Sequence, residues 1–122
     1  MRVALDTNVL VAAVATRGLC ADVVNLIMAE HELILGEAVL TELKRVLRKK
    51  MRVPAEVIDE YDGLLRRESR VVPKAKALVV AVRDKSDIPV LSEAIAGNAE
   101  VLITGDRDLL DIAEQLPLQI LT

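Results

Sequence analysis

The chain has 122 residues, 52% of them hydrophobic and 29% charged, with a formal net charge of −3. That balance fits a packed core and excludes a disordered chain, and no apolar run approaches the roughly 18 residues that would span a bilayer. Cys20 is the only cysteine and Tyr61 the only aromatic residue, which excludes an internal disulfide, a thiolate metal site and a surface that stacks bases on aromatic rings.

Arg2 leads directly into the short apolar strand "RVAL" (2–5), where a secretory signal would place an apolar helix. A cytoplasmic protein with no membrane contact is therefore expected. "LCADVVNLIMAE" has helical apolar spacing, with Val23, Leu26, Ile27 and the aliphatic part of Glu30 around one face. "ELIL" (32–35) is a second buried strand. "GEAVLTELKRVLRKK" (36–50) is a second helix, since Val39, Leu40, Leu43, Val46 and Leu47 fall at i, i+1, i+4, i+7 and i+8. Pro54 suits the first turn of a third, "PAEVIDEYDGLLRRE". "ALVVAV" (77–82) reads as a strand or extended segment. "DIPVLSEAIAGN" is a helix closed by Gly97 and Asn98. "EVLIT" (100–104) is a strand, "DRDLLDIAEQ" a short helix and "LQIL" (118–121) a last strand.

Strands alternating with helices point to an α/β fold, a three-layer α/β/α sandwich on a mainly parallel central sheet. With no internal repeat, low-complexity tract or linker, residues 1–122 are expected to form one domain.

In open parallel sheets, sites gather at the carboxyl ends of the strands. Asp6 stands at the end of the first strand and Asp106 just past "VLITG". Glu42 lies on the margin of its helix's apolar stripe, whereas Lys44, Arg45 and Arg48 point largely away from it. Asp87 heads the buried face formed by Val90, Leu91, Ala94 and Ile95. Singly, three of these acids have an ordinary explanation. Asp87 and Asp106 suit helix N-termini, and Glu42 can pair with Arg45 on a solvated face. Asp6 is the exception, because no helix is expected to begin behind it. Collectively, Asp6, Glu42, Asp87 and Asp106 would repel one another unless a cation neutralised them. Hard oxygen ligands without cysteine, and with His31 alone among histidines, select Mg²⁺ or Mn²⁺ over zinc.

These residues, in this order, resemble the PIN-domain family of metal-dependent ribonucleases. "ALDTNVLVAA" resembles the family's first motif, an Asp at a strand end followed by Thr and Asn. "EAVLTELKRVL" is similar to the helix carrying its Glu, and "RDKSDIPVLSEAIAGNAEVLITGDRDLL" to its third and fourth acidic motifs together. The resemblance covers essentially the whole chain and is greatest to the branch of toxin components of toxin–antitoxin systems, relatives of the VapC toxins. It implies a Mg²⁺- or Mn²⁺-dependent endoribonuclease acting on an RNA substrate, a cognate antitoxin partner and a homodimer. Carried over residue by residue, Asp6, Glu42 and Asp87 would ligate the metal and Asp106 complete the site. Asp108 would hold a second metal, and Asn8 and Thr104 would support the ligands through hydrogen bonds. Asp84 ranks below Asp87 because it precedes the helix. Lys44, Arg45 and Arg48, within the basic stretch 44–52, are candidates for holding the RNA backbone. Their other explanation is a solvated helix whose terminal cations complement its dipole. Residues 53–80 carry no motif.

Two rival readings stand beside this one. A haloacid-dehalogenase-like phosphatase also places an Asp after its first strand, but it usually wants a second Asp where this chain has Asn8. A binding or assembly module of the same fold would use the acids for no turnover at all.

Overall fold

The computed structural model describes residues 1–15, 19–73, 87–105, 109 and 116–121, with the side chains of residues 19–21 and 87 left aside. The extended segment expected at 77–82 and the helix expected at 106–115 lie outside the described residues, Leu109 excepted.

β1 (Arg2–Leu5) runs into α1 (Thr7–Ala15) and α2 (Leu19–Glu30), and β2 (Glu32–Gly36) into α3 (Glu37–Lys49) and α4 (Ala55–Glu68). β3 (Ser69–Val72), α5 (Asp87–Ala96), β4 (Val101–Ile103) and β5 (Gln119–Leu121) follow. Among the described residues five strands form one sheet in the order β3-β2-β1-β4-β5, and each of these pairings is parallel. The architecture is the expected α/β/α sandwich.

The period-2 alternation of the strands sorts their side chains into two cores. Val3, Leu5, Leu33 and Leu35 face one side, where α1–α4 supply Leu10, Val24, Ile27, Leu40, Leu43, Leu47 and Leu65. Ala4, Ile34, Leu102 and Ile120 face the other, where α5 supplies Leu91 and Ala94. Two elements went unpredicted. α1 has a nearly uniform apolar sequence, "TNVLVAAVA", with little periodicity to betray a helix. β3 is only "SRVV", an edge strand whose Val72 alone is buried. In α2, among the described side chains, Val24 and Ile27 are buried, and Leu26, expected inside, is 51% exposed.

Helix ends have specific causes. α5 stops where Asn98 takes a left-handed φ of 58° and Ala99 N–H reaches back to the Ala94 carbonyl. Gly97 serves packing instead: a Cβ there would stand 2.6 Å from Ile34 Cγ2 and 2.7 Å from Val72 Cγ2. α3 closes with Met51 N–H on the Val46 carbonyl, after which Arg52 takes a left-handed φ of 53° without glycine and Val53 N–H reaches back to the Leu47 carbonyl. Among the described residues no helix is long and apolar enough to cross a membrane.

Candidate functional site

The strand order reverses direction at β1, which has β2 on one side and β4 on the other. At such a switch point the loops leaving adjacent strands diverge and open a crevice at their carboxyl ends. Asp6 follows β1 and Thr104 follows β4, side by side at that crevice. Both are locked by the sheet, because Asp6 N–H donates to the Ile103 carbonyl (3.0 Å) and Thr104 N–H to the Leu121 carbonyl (2.9 Å).

The Asp6 carboxylate is buried, with the residue 6% exposed, and each oxygen receives one donor. Oδ1 accepts from Thr7 N–H at 2.7 Å, and Oδ2 accepts from the Thr104 hydroxyl at 2.7 Å. α1 begins at Thr7, so Asp6 occupies the flanking position of a helix after all, correcting the expectation that none begins behind it. Its carbonyl accepts from Val9 N–H (3.2 Å), and the helix dipole favours its charge. Neither donor is charged, and among the described residues no Lys or Arg lies in ion-pair reach of Asp6. A carboxylate offers about four lone-pair sites, so this one keeps capacity for a cation. Its donor set, hard oxygens held by neutral groups in a buried place, fits Mg²⁺ or Mn²⁺.

The other predicted residues fare differently. Glu42 stands on α3 with its side chain 45% exposed, and both its oxygens are engaged by Arg45, Nε to Oε2 at 3.0 Å and Nη2 to Oε1 at 2.5 Å. That hydrogen-bonded guanidinium holds the Glu42 carboxyl below its ordinary range, against a smaller opposing effect of burial. Asp87 opens α5, its side chain outside the described set. Asp106 and Asp108 lie outside the described residues, as does Asp84. Among the described residues no three His, Cys, Asp or Glu side chains converge. Asn8 is exposed in the first turn of α1. Lys44 pairs with Asp62 at 3.3 Å, Arg45 with Glu42, and Arg48 is exposed farther down α3.

One polar residue at this end of the sheet escaped the sequence reading. Glu93 of α5 is only 2% exposed, and its Oε1 accepts from Ala38 N–H, at the start of α3, at 2.7 Å. It lay off the apolar stripe assigned to its helix. The available signal was that "PVLSEAIA" is apolar nearly all round, as a helix buried on most sides must be; Leu91, Ser92, Glu93 and Ala94 are buried in succession.

Comparison with known proteins supplies independent findings. The model of the family described as "PIN domain" matches residues 2–108. No curated protein sequence matches. The fold is similar to a chain of the VapBC2 crystal structure from Rickettsia felis, bound to a DNA fragment from their promoter. There the TM-score is 0.67 at 16% identity, covering 100% of both chains. It is also similar to a chain of the VapBC-1 structure from nontypeable Haemophilus influenzae, with TM-score 0.70 and 19% identity over 98% of this chain and 96% of that one.

Proposed function

The chain belongs to the PIN-domain family, and from that premise we propose that it is a Mg²⁺- or Mn²⁺-dependent endoribonuclease, the toxin of a toxin–antitoxin pair. The observation that carries the reading is Asp6, a buried carboxylate at the switch point with a neutral donor on each oxygen and, among the described residues, no Lys or Arg in ion-pair reach. Asp6, Glu42, Asp87 and Asp106 would hold the cation, with Asp108 toward a second. When bound, such a cation makes water nucleophilic near neutral pH and offsets negative charge on the phosphodiester oxygens.

The chain's own residues do the positioning. Thr104 and the Thr7 amide fix the two Asp6 oxygens, so the carboxylate is aimed before any ligand arrives. Glu42, whose two oxygens are held by Arg45, would have to release that guanidinium or share a carboxylate oxygen with it to hold the cation. Arg45, once displaced, is a free cation beside the RNA backbone, with exposed Arg48 and the outer face of Lys44 continuing the same helix.

That the similar structures are VapBC assemblies supports an antitoxin partner for this chain, and a homodimer belongs to the same proposal. The pairing of Glu42 with Arg45 favours a second reading, a PIN-fold binding module without turnover. Cleavage of a generic single-stranded RNA with Mn²⁺, with EDTA, and with Asp6→Asn separates the two. A nuclease loses cleavage in both of the latter conditions; RNA left intact by wild type with Mn²⁺ sinks the enzymatic reading.

A further inference from the structure

α3 lacks what most helices have at their start. The first N–H groups of a helix have no partner inside it and are usually met by an Asp, Ser, Thr or Asn at the N-cap. The N-cap of α3 is Gly36, which makes no side-chain bond to the helix. Glu93 takes over that role from another helix: its Oε1 accepts from the N–H of Ala38, the second residue of α3. Residue 36 cannot do both. A Cβ built on Gly36 would stand 2.6 Å from Glu93 Cβ and Oε1 and 2.7 Å from its Cδ. The glycine is thus the space that the carboxylate fills. An almost fully buried Glu is costly unless it is hydrogen-bonded, and a helix N-terminus is a favourable place for its charge.

We propose that Glu93 is a positioning residue, capping α3 from α5 and so setting the helix that carries Glu42 against the helix that opens at Asp87. This rests on the reading of those two acids as cation ligands. Glu42 lies one turn beyond Ala38, about 6 Å along α3 and on nearly the same side of it. Asp87 lies six residues before Glu93, about 9 Å along α5. One hydrogen bond therefore joins the two ligand-bearing helices close to both ligands. Ligand sets tolerate only about 0.5 Å of misplacement, so losing this tether weakens the cation site without touching a ligand.

Mn²⁺ calorimetry on wild type, Glu93→Gln, Glu93→Ala and Leu65→Ala tests the proposal, with amide exchange of Ala38 followed in the metal-free proteins. Leu65, a fully buried residue of α4, serves as a control for simple destabilisation. Glu93→Ala should weaken Mn²⁺ by about tenfold or more, as loss of a ligand-orienting contact does. Glu93→Gln keeps an acceptor for Ala38 N–H and should stay near wild type, as should Leu65→Ala despite its lower Tm. Wild-type affinity in Glu93→Ala, or an equal loss in Leu65→Ala, overturns the assignment. If wild type takes up no Mn²⁺, the cation-site reading fails instead. The tether is then judged by Ala38 alone: faster exchange in Glu93→Ala than in wild type and Glu93→Gln supports it, and unchanged exchange overturns it.

Discussion

Thr104 donates its hydroxyl to Asp6 Oδ2 across 2.7 Å, although 98 residues separate them in the chain. The contact exists because β1 and β4 are neighbours in register, with Leu5 beside Ile103, so the residues that follow the two strands emerge together. Both partners are buried. Replacing Thr104 by the nearly isosteric Val would leave a carboxylate oxygen without its donor, at a cost of about 1–3 kcal/mol. Urea unfolding of Thr104→Val should show that loss, and Thr104→Ser, which retains the hydroxyl, should recover most of it. A Val variant as stable as wild type would mean that the hydroxyl does nothing for Asp6.

The Glu42–Arg45 pair makes a prediction about pH. The guanidinium depresses the folded-state pKa of Glu42 below the ordinary 4.5. The pair's contribution to stability is therefore present above the ordinary range and is lost as pH falls through the lower, folded-state value. Both side chains are nearly half exposed, so that contribution is small and screened by salt. Arg45→Gln should move the Glu42 titration upward, which a side-chain carboxyl NMR titration reads directly. On the proposed function the same change frees Glu42 for the cation. Mn²⁺ affinity at pH 7 should rise, while the acid limb of Mn²⁺ binding moves to higher pH. An unmoved titration would mean that the pair does not form in solution.

What the sequence disclosed, and what it hid, divides along physical lines. The strand β1, the amphipathic α3 and the strand β4 were legible because short apolar runs and a wide apolar stripe are properties of neighbouring residues. Asp6 was legible for the same reason, as a charge that ends a buried strand. α1 was not, because "VLVAAVA" is apolar at every position and carries no period to distinguish helix from strand. Glu93 was hidden for a different reason. Its partner is a backbone N–H 55 residues away, and no spacing rule within α5 points to it. Gly36 was the complementary clue, but a glycine between a strand and a helix suits so many turns that its purpose appears only when Glu93 is seen above it.

Gly97 makes a stability prediction that separates packing from backbone freedom. Left-handed backbone falls at Asn98, and no glycine among the described residues has positive φ. What Gly97 provides is close approach of the α5 end to Ile34 on β2 and Val72 on β3. Gly97→Ala should cost about 1–3 kcal/mol, the range for overpacking a core, and lower the Tm accordingly. Asn98→Gly, which only relieves a left-handed residue, should leave stability equal or slightly higher. A harmless Gly97→Ala would show that α5 can lift from the sheet at no cost, which would also undercut the role given to Glu93.

Arg66 holds α4 to α3 through a small charge network, and it bears on how much of the basic stretch is free for RNA. Its Nη1 and Nη2 meet the two oxygens of Glu37 at 2.9 and 3.1 Å, and its Nε meets Asp62 Oδ2 at 3.0 Å. Lys44 reaches the same Asp62 oxygen. Asp62 Oδ1 is buried without a hydrogen-bond partner among the described residues, so Oδ2 carries the attraction. These contacts also hold the Arg66 guanidinium above its ordinary range, so it stays charged throughout any working pH. Arg66→Ala should destabilise the fold by about 1–2 kcal/mol, more than an isolated surface pair because two carboxylates lose a shared partner. Salt should narrow the difference between variant and wild type. Lys44 must then neutralise Asp62 alone, which binds it more firmly to the protein. Its share of any RNA contact should fall: Lys44→Ala should weaken RNA binding less in the Arg66→Ala background than in wild type. Equal losses in the two backgrounds would mean that the network does not govern Lys44.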